Sequence, residues 1–483
     1  MYRMTTQRGG ILIQVIAFMT IGIIILSGFI GWGVMSVRTS RHVELREQAL
    51  QIAEAGIDYY RWHLAHAASD YQDGTGAPGP YVHDFFDKSG TKIGEFSLTI
   101  IPPAVGSTMV TIQSTGKALK DPTVRRTLQA KYAKPSFAKY ALVTNTDVWE
   151  DGVEIYGPYH ANGGVHFSNV LAHNIVTSAK TTYTDPDFGG TRWGVYTDKA
   201  TAGYPSGDPN PPTAYPSRPD VFAAGRQISV PAVDFTGIMS DLATIKTNAQ
   251  SGGLYYAPSG GLGYHIVLKT TGKFDIYRVT AKTPSPNGTC TANFTYADTG
   301  GGMWSIQTQV LIAANVNFPA NGLIFTEDDV WVDGQINTAR LAIAAARFPD
   351  NPATRASIIV NSNLLYSNYD GTDVIGLLAQ NYIRIGYASA DTLRIDGAIL
   401  AQSGAIWRDY YPSNCGASYV RTKITTYGSM ISNQRYTFSW WCGSFCSGYA
   451  SQVSSYDPNL LYNPPPSFPL TTDKYQILSW DEL

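Results

Sequence analysis

The sequence predicts an α+β protein: one long N-terminal helix, then a small antiparallel sheet, then a much larger and mostly β region. Three observations predict this class. An uncharged apolar run near the N-terminus continues into a one-sided apolar pattern, three alternating segments follow, and the remaining chain has short apolar runs separated by turn residues. Because 483 residues exceed one ordinary core, we expect at least two domains.

The composition favours a protein outside the cytosol and disfavours nucleic acid as a partner. The net charge is −2 and only 15% of residues are charged, while the chain contains 31 Tyr and 46 Gly. A chain without basic bias lacks the electrostatic attraction that phosphate backbones require. A polar, uncharged, aromatic-rich surface is typical of an extracellular β protein.

The apolar run is long enough to cross a membrane. No charged side chain occurs between Arg8 and Arg38. As a helix, residues 11–37 would be roughly 40 Å long, which exceeds the roughly 30 Å hydrocarbon core of a bilayer. The run also exceeds a secretory signal and lacks its cleavage site. The basic leader, residues 1–10, should stay cytoplasmic.

The helix is expected to continue beyond the membrane as far as residue 66. Apolar residues recur at spacings of three and four, which is the pattern of an amphipathic helix. These residues are Leu50, Ala53, Ile57, Tyr60 and Leu64. We therefore predict one helix over residues 11–66, apolar on all sides first and then one-sided.

The N-terminal segments together resemble a type IV prepilin. The leader MYRMTTQRGG ends in Gly, the helix is uncharged, and QALQIAEAGIDYYRWHL (48–64) is similar to PilX-like minor pilins. The resemblance implies that a prepilin peptidase cuts after Gly10 and methylates the new amine of Ile11. It also implies that the helix leaves the inner membrane and packs with other pilin subunits in a filament core. An uncleaved N-terminal anchor is the alternative.

One departure from the family concerns the fifth mature residue, which is usually Glu. Cleavage before Ile11 places Val15 there, and cleavage one residue earlier places Gln14 there. Both are filament-core helix positions on this reading. The departure favours a minor or tip subunit over a major one.

Three alternating segments predict the antiparallel meander of residues 67–135. They are GEFSLTIIP (94–102), MVTIQSTGKA (109–118) and TVRRTLQAKYAK (123–134). One helix followed by such a meander buries its apolar stripe on one sheet face. This arrangement is similar to a pilin head.

Residues 136–470 predict a large extracellular β domain. Runs of three to five apolar residues between turns favour a parallel β-helix, and a β-sandwich is the alternative. A loop-rich block at about 182–303 reads as an insertion, and its segment 233–250 predicts a helix. The Pro-rich stretch 456–469 and residues 471–483 read as an extended C-terminal tail.

The four cysteines predict disulfide chemistry. They are Cys290, Cys415, Cys442 and Cys446. Few cysteines without a CxxC pair argue against a zinc ribbon and suit an oxidising compartment. We expect one disulfide among the last three, and Cys290 is the candidate partner of the remaining one.

Catalytic and metal motifs are weak. The acidic cluster Glu327, Asp328, Asp329 and Asp333 reads as a solvated turn, and the histidines His160, His166 and His173 as structural residues. Oxygens for calcium are offered by four aspartates, but turn chemistry is the favoured reading. These candidates are Asp185, Asp187, Asp370 and Asp373. We assign no catalytic residue, no cofactor and no enzyme activity.

The expected function is that of a structural subunit of a type IV pilus or related filament, which displays its β-rich head for adhesion or assembly. The expected location is the inner membrane and then a surface filament. A surface glycan or cell receptor is the candidate ligand, and the aromatic-dense segment 407–449 is a candidate binding surface. The alternatives are a membrane-tethered β-helix enzyme acting on polysaccharide and a secretion-system pseudopilin.

Overall fold

A computed structural model describes residues 10–104, 107–285, 290, 303–461 and 463–483, without the side chains of 238–240. The chain forms two compact units. The first contains Met1–Pro102, Val110–Tyr132 and Ile477–Leu483, and the second contains Pro103–Met109 and Ala133–Gln476. Each unit therefore combines segments that are distant in sequence.

The first unit begins with α1 (Gly10–His66), a single helix of 57 residues. The predicted uninterrupted helix is confirmed. Among the described residues, α1 is the one helix that is long and apolar enough to cross a membrane. The hydroxyls of Thr20 and Ser27 donate to the carbonyls of Ile16 and Ile24, so these polar groups are satisfied within the helix.

The C-terminal third of α1 packs on a sheet through one face. The buried residues follow the helical period: Ala49, Ile52, Ala53, Gly56, Ile57, Tyr60 and Leu64. The face starts at Ala49 and Ile52, whereas the predicted position Leu50 is only half-buried. The predicted stripe is otherwise confirmed, and burial of this face holds α1 against the sheet.

The sheet of the first unit has five strands in the order β1-β2-β3-β4-β32. The first four form an antiparallel meander, in which β2, β3 and β4 are the predicted strands and β1 is an additional one. The strands are β1 (Tyr81–Phe86), β2 (Lys92–Ile101), β3 (Val110–Ala118), β4 (Asp121–Ala133) and β32 (Gln476–Glu482). Their alternating side chains bury one face against α1.

The fifth strand corrects the reading of residues 471–483 as a tail. Strand β32 lies beside β4, the amide of Leu483 donates to the carbonyl of Thr127, and Arg126 pairs with Glu482. The alternation in QILSWDE is a weak strand signal, because it is short and follows a Pro-rich stretch. The end of the chain therefore completes the sheet that packs on α1.

The second unit is built from α2 (Ile238–Gly252) and short strands. Its first strands are β5 (Leu142–Thr144), β6 (Val148–Asp151), β7 (Glu154–Tyr156), β8 (Tyr159–Ala161), β9 (Val165–Ser168), β10 (Leu171–Ala172), β11 (Val176–Ser178), β12 (Thr182–Thr184), β13 (Thr191–Trp193), β14 (Val195–Thr197) and β15 (Arg226–Gln227). Those after α2 are β16 (Leu254–Tyr256), β17 (Tyr264–Lys269), β18 (Lys273–Lys282), β19 (Ile306–Asn317), β20 (Leu323–Thr326), β21 (Val330–Gln335), β22 (Arg340–Ala345), β23 (Ile358–Ile359), β24 (Leu364–Leu365), β25 (Val374–Ala379), β26 (Ile383–Ile385), β27 (Thr392–Ala401), β28 (Ile406–Arg408), β29 (Val420–Ser432), β30 (Ser439–Trp441) and β31 (Phe445–Tyr456).

Most of these strands pair in parallel and form long ladders. The first ladder runs β16-β20-β22-β25-β27-β29-β5-β8-β11-β15. A second runs β17-β21-β23-β26-β28, and a third runs β24-β27-β29-β31-β7-β10. Strands β6, β9 and β14 pair in parallel separately. Antiparallel pairing is confined to excursions such as β17-β18-β19.

The spatial order of the first ladder differs from the sequence order. Strand β5 pairs with β29, which lies almost three hundred residues later: Leu142 is opposite Met430 and Thr144 is opposite Ser432. The chain then reaches β15 at one end of this ladder and resumes with β16 at the other. Strands β14 to β17 thus belong to parallel pairs. The block 182–303 is therefore not the simple insertion that the sequence predicts.

The first ladder is buried on both faces. In β22, Ile343 and Ala345 face the interior cluster, whereas Ala342 and Ala344 face a second cluster on the outside. The outer cluster is covered by α2, which confirms the predicted helix of residues 233–250, and by residues of the 456–469 stretch. Double burial explains the continuous apolar sequences of these strands.

We expect Gly116→Leu to destabilise the first unit, because any Cβ at this position of β3 would overlap the backbone oxygen of Ala49 and the backbone nitrogen of Ala53 in α1. Overpacking of this kind typically costs about 1–3 kcal/mol. Denaturant unfolding would measure the loss. Lys117→Ala, on the opposite face of β3, should change stability by less than about 0.5 kcal/mol. Equal effects of both variants would contradict the close packing.

Candidate functional site

The predicted processing positions lie at the start of α1. Gly10 is the first helical residue, and Ile11, Gln14 and Val15 are exposed. The preceding leader residues, 1–9, lie outside the described residues. The large apolar side chains from Ile11 to Val37 are exposed on every side of α1. This part of α1 therefore presents a surface that needs an apolar neighbour rather than water.

A second candidate is a Ser–His–Asp arrangement in the second unit. Ser168 and His166 are two residues apart on β9, so both side chains lie on one face. The Ser168 Oγ lies 3.3 Å from His166 Nε2, and Asp185 Oδ2 lies 3.1 Å from His166 Nδ1. These distances are close to those of a hydrolytic triad, although the chain order His–Ser–Asp is not one of the common triad orders.

The hydrogen bonds indicate that this arrangement is structural. The Ser168 hydroxyl donates to Asp198 Oδ1 at 2.7 Å and accepts from the indole of Trp149 at 3.1 Å. A hydroxyl has one proton, so a serine that donates to Asp198 does not donate to His166. Ser168 is only 9% exposed. Burial lowers the pKa of the His166 imidazole, although Asp198 and Asp185 oppose this effect.

The first pair of calcium candidates binds protein groups instead. Asp185 accepts from the amides of Asp187 and Phe188 and from the hydroxyl of Tyr196. Asp187 accepts from Arg435 at 2.7 Å. The carboxylate oxygens thus shape the turn that carries them, as expected of aspartates in turns.

The second pair behaves in the same way. Asp370 accepts from the amide and hydroxyl of Thr372, and Asp373 accepts from the amides of Ala339, Ser367 and Asn368. Within the described ranges, no three His, Cys, Asp or Glu side chains converge in a way that would hold a metal ion. The calcium hypothesis gains no support from this geometry.

The acidic cluster at 327–333 is divided among separate partners. Glu327 accepts from Lys246 and Tyr255, Asp328 pairs with Arg347, and Asp333 lies 3.0 Å from His265 Nε2. Asp329 accepts from the amide of Ser357 at 2.8 Å. Arg347 also lies 3.6 Å from Asp329, so Asp328 and Asp329 share one guanidinium. Each carboxylate of the cluster thus has a protein partner.

The four cysteines form two disulfides in the structure. Cys442 pairs with Cys446 and Cys290 pairs with Cys415. The first bridge closes a separation of 4 residues, and the second closes a separation of 125. Cys290 and Cys415 lie in a small cluster with Met303, Tyr387 and Tyr411.

A cleft lies beside the aromatic-dense segment and is called the tryptophan cleft below. It has a volume of about 530 Å³, and its aromatic lining consists of Trp149, Trp407, Trp440 and Trp441. The polar groups along it include Asp147, Asp187, Gln434 and Arg435. Four separate chain regions, near residues 147, 187, 407 and 435, thus meet at one surface.

The indole rings of the cleft are held in place by neighbours. Trp407 stacks on Tyr382 with ring centroids 5.3 Å apart and planes 6° apart. Trp440 Nε1 donates to the carbonyl of Arg408 at 3.0 Å. Trp441 is 61% exposed at the rim. The cleft therefore has two indole rings held by neighbours and one exposed ring at its rim.

Glu150 is a half-buried carboxyl group next to Trp149 in sequence. It follows Trp149 on β6 and accepts hydrogen bonds from the hydroxyls of Tyr159 and Tyr436. Burial raises the pKa of the Glu150 carboxyl, and the two tyrosine hydrogen bonds only partly offset this effect. The group is therefore more readily protonated than an exposed glutamate.

Sequence reasoning missed several residues of this region. Three of them, Asp147, Trp149 and Glu150, are distant in sequence from the 407–449 segment. The pairings of β5 with β29 and of β7 with β31 bring them near it. For Ser168 a signal existed, since a His and a Ser at i and i+2 share one strand face. For the cleft, no local sequence pattern indicates which strands are neighbours.

Comparisons with known proteins give little further information. No family model matches the chain. No curated protein matches it. Among solved structures, it is similar to the crystal structure of the competence-associated pilin ComZ from Thermus thermophilus. The identity is 13% and the TM-score is 0.30, over 91% of this chain and 98% of that chain. A likeness at this level establishes neither a family nor a function.

Raising the pH should weaken the wild-type protein relative to Glu150→Gln. A carboxyl whose folded-state pKa is raised binds its proton more tightly when folded, so stability falls as pH rises from about 4.5 through the raised pKa. Each pKa unit corresponds to about 1.4 kcal/mol. The Tm of both proteins between pH 4.5 and 8 measures this. Glu154→Gln is the control, because Glu154 is exposed and its pKa is lowered. The Tm difference between this variant and the wild type should change only slightly with pH, and in the opposite direction. A pH-independent difference for Glu150→Gln would contradict its burial.

Removing the Cys290–Cys415 bridge should cost more stability than removing the Cys442–Cys446 bridge. The chain-entropy model gives about 5 kcal/mol for a closed loop of the first size and about 2 kcal/mol for the second. Paired Cys→Ser variants of each bridge avoid stray thiols, and non-reducing denaturant unfolding measures the losses. Similar losses for the two variants would show that loop closure does not govern their effect.

Proposed function

We propose that the chain is a type IV pilin-like subunit of minor or tip type, which displays a large β-helix head for adhesion or assembly. The observation that carries this proposal is the continuity of α1. One helix is exposed and apolar from Ile11 to Val37 and then packs on an antiparallel sheet from Ala49 onward. Such a helix can exchange lipid neighbours for the helices of other subunits while its head stays attached.

The resemblance of the leader and of residues 48–64 to prepilins supports the same proposal. On this proposal the peptidase cuts after Gly10, Ile11 is the mature N-terminus, and the subunit passes from the inner membrane to a surface filament. The uncharged Gln14 and Val15 favour a minor or tip position, because neither supplies the carboxylate that usually pairs with a neighbour's amine.

The β-helix assignment is supported by the parallel ladders of the second unit. A β-sandwich would require antiparallel sheets, whereas the three long ladders here are parallel. We propose a non-enzymatic head, because the Ser168 hydroxyl donates to Asp198 and the acidic groups of 327–333 are held by protein partners.

The N-terminus tests the processing step. Mass spectrometry of the chain from cells with active prepilin peptidase should find a methylated Ile11 at the N-terminus. The same cells without the peptidase are the control and should retain the leader. An intact Met1 in peptidase-competent cells would overturn the processing claim and leave a tethered exoprotein.

A charge in the apolar part of α1 tests the filament role. Ile24→Lys places a cation at the middle of the exposed run, at a cost of about 3 kcal/mol in a bilayer centre. We expect it to be lost from membranes and sheared filaments in immunoblots, while Ile24→Leu behaves as wild type. Normal incorporation of the Lys variant would contradict the helix role.

The location of the chain distinguishes a pilus subunit from a secretion pseudopilin. Immunogold labelling should mark external fibres, along their length or at their tips. Labelling confined to the periplasm would support the pseudopilin instead.

A further inference from the structure

We infer that the tryptophan cleft binds a neutral oligosaccharide. This inference deepens the proposed function by naming the ligand class, and it rests on that function for display of the cleft outside the cell. The cleft lies wholly within the second unit, between the β6 region, the turn at 185–190 and the segment 434–441. Its volume of about 530 Å³ is within the usual range for small-ligand sites.

The aromatic part of the cleft suits the C–H faces of sugar rings. Trp441 offers an exposed indole, and the edges of Trp407 and Trp440 continue the apolar surface beside it. The hydrogen bond of Trp440 to Arg408 and the stacking of Trp407 on Tyr382 fix these rings before any ligand arrives. Little conformational freedom is then lost on binding.

The polar part of the cleft suits hydroxyl groups. Arg435 Nη1 donates to Asp187 Oδ2 at 2.7 Å, and both side chains remain about one-third exposed. Gln434 adds an amide beside them. A guanidinium donates, a carboxylate accepts and an amide does both, whereas a sugar hydroxyl also donates and accepts. The set therefore matches a polyol without requiring a charged ligand.

Other ligand classes fit less well. A helical peptide would dock through aliphatic anchors, and the described lining includes no Leu, Ile, Val or Met. Asp147 and Asp187 outnumber Arg435 among the charged lining groups, so anionic chains would meet net negative charge. An uncharged chain with flat apolar faces and many hydroxyls remains as the matching ligand.

The test uses the full chain in phospholipid nanodiscs, because glycosidic detergents would compete for the cleft. The probes are cellohexaose, maltohexaose, mannohexaose and N-acetylated chitohexaose, with an oligogalacturonate as the anionic comparison. Calorimetry and tryptophan fluorescence report binding. Trp441→Ala should weaken binding at least about tenfold, as expected for truncating an aromatic anchor. Trp62→Ala is the matched control, since Trp62 on α1 is also 61% exposed and lies outside the cleft.

Binding of at least one neutral probe that Trp441→Ala weakens and Trp62→Ala leaves unchanged supports the inference. Absence of binding to all neutral probes overturns it, as does binding that Trp441→Ala does not affect or a preference for the oligogalacturonate. Circular dichroism must first show that Trp441→Ala is folded, and Trp441→Phe, which keeps a ring, should recover part of the affinity. Failure of the filament role would give a different result, because the chain would then bind sugar and yet be missing from filaments.

Discussion

The structure depends on one requirement, which is that the exposed apolar part of α1 has non-aqueous neighbours. Ile11, Phe18 and Trp32 are each about 70% exposed or more, and side chains like them surround the helix. Water penalises such a surface, whereas lipid or other apolar helices do not. The same helix is fixed at its other end by the β3 surface, where Gly116 allows contact between backbones. The position of the apolar part is therefore coupled to a folded sheet.

The second unit follows a different principle. Many of its strands have only two to four residues, and they gain their hydrogen bonds from neighbouring strands that are often distant in sequence. The first ladder has a second apolar layer outside it, covered by α2 and by the Pro-rich stretch around Phe468. The parallel ladders thus bring distant segments of the chain together, such as β5 and β29.

The sequence predicts elements within one segment well, and it predicts pairing between distant segments poorly. The helix Gly10–His66, the strands β2 to β4 and the helix α2 follow from periodicity within single segments. The pairing of β5 with β29 and of β32 with β4 has no local signature, because strand partners are chosen by overall topology. For the same reason the aromatic segment 407–449 was visible as a surface, but its partners Trp149 and Asp187 were not.

The order in which strands become available has a consequence for biogenesis. Strand β5 needs β29 as its neighbour, and β4 at the edge of the first sheet needs β32, close to residue 483. Segments made early must therefore wait for partners synthesised last, and contacts of such high sequence separation form slowly. While the N-terminal helix is already held, hundreds of residues of β-prone chain remain incompletely paired. The chain thus creates a demand for chaperoning that a shorter head would avoid.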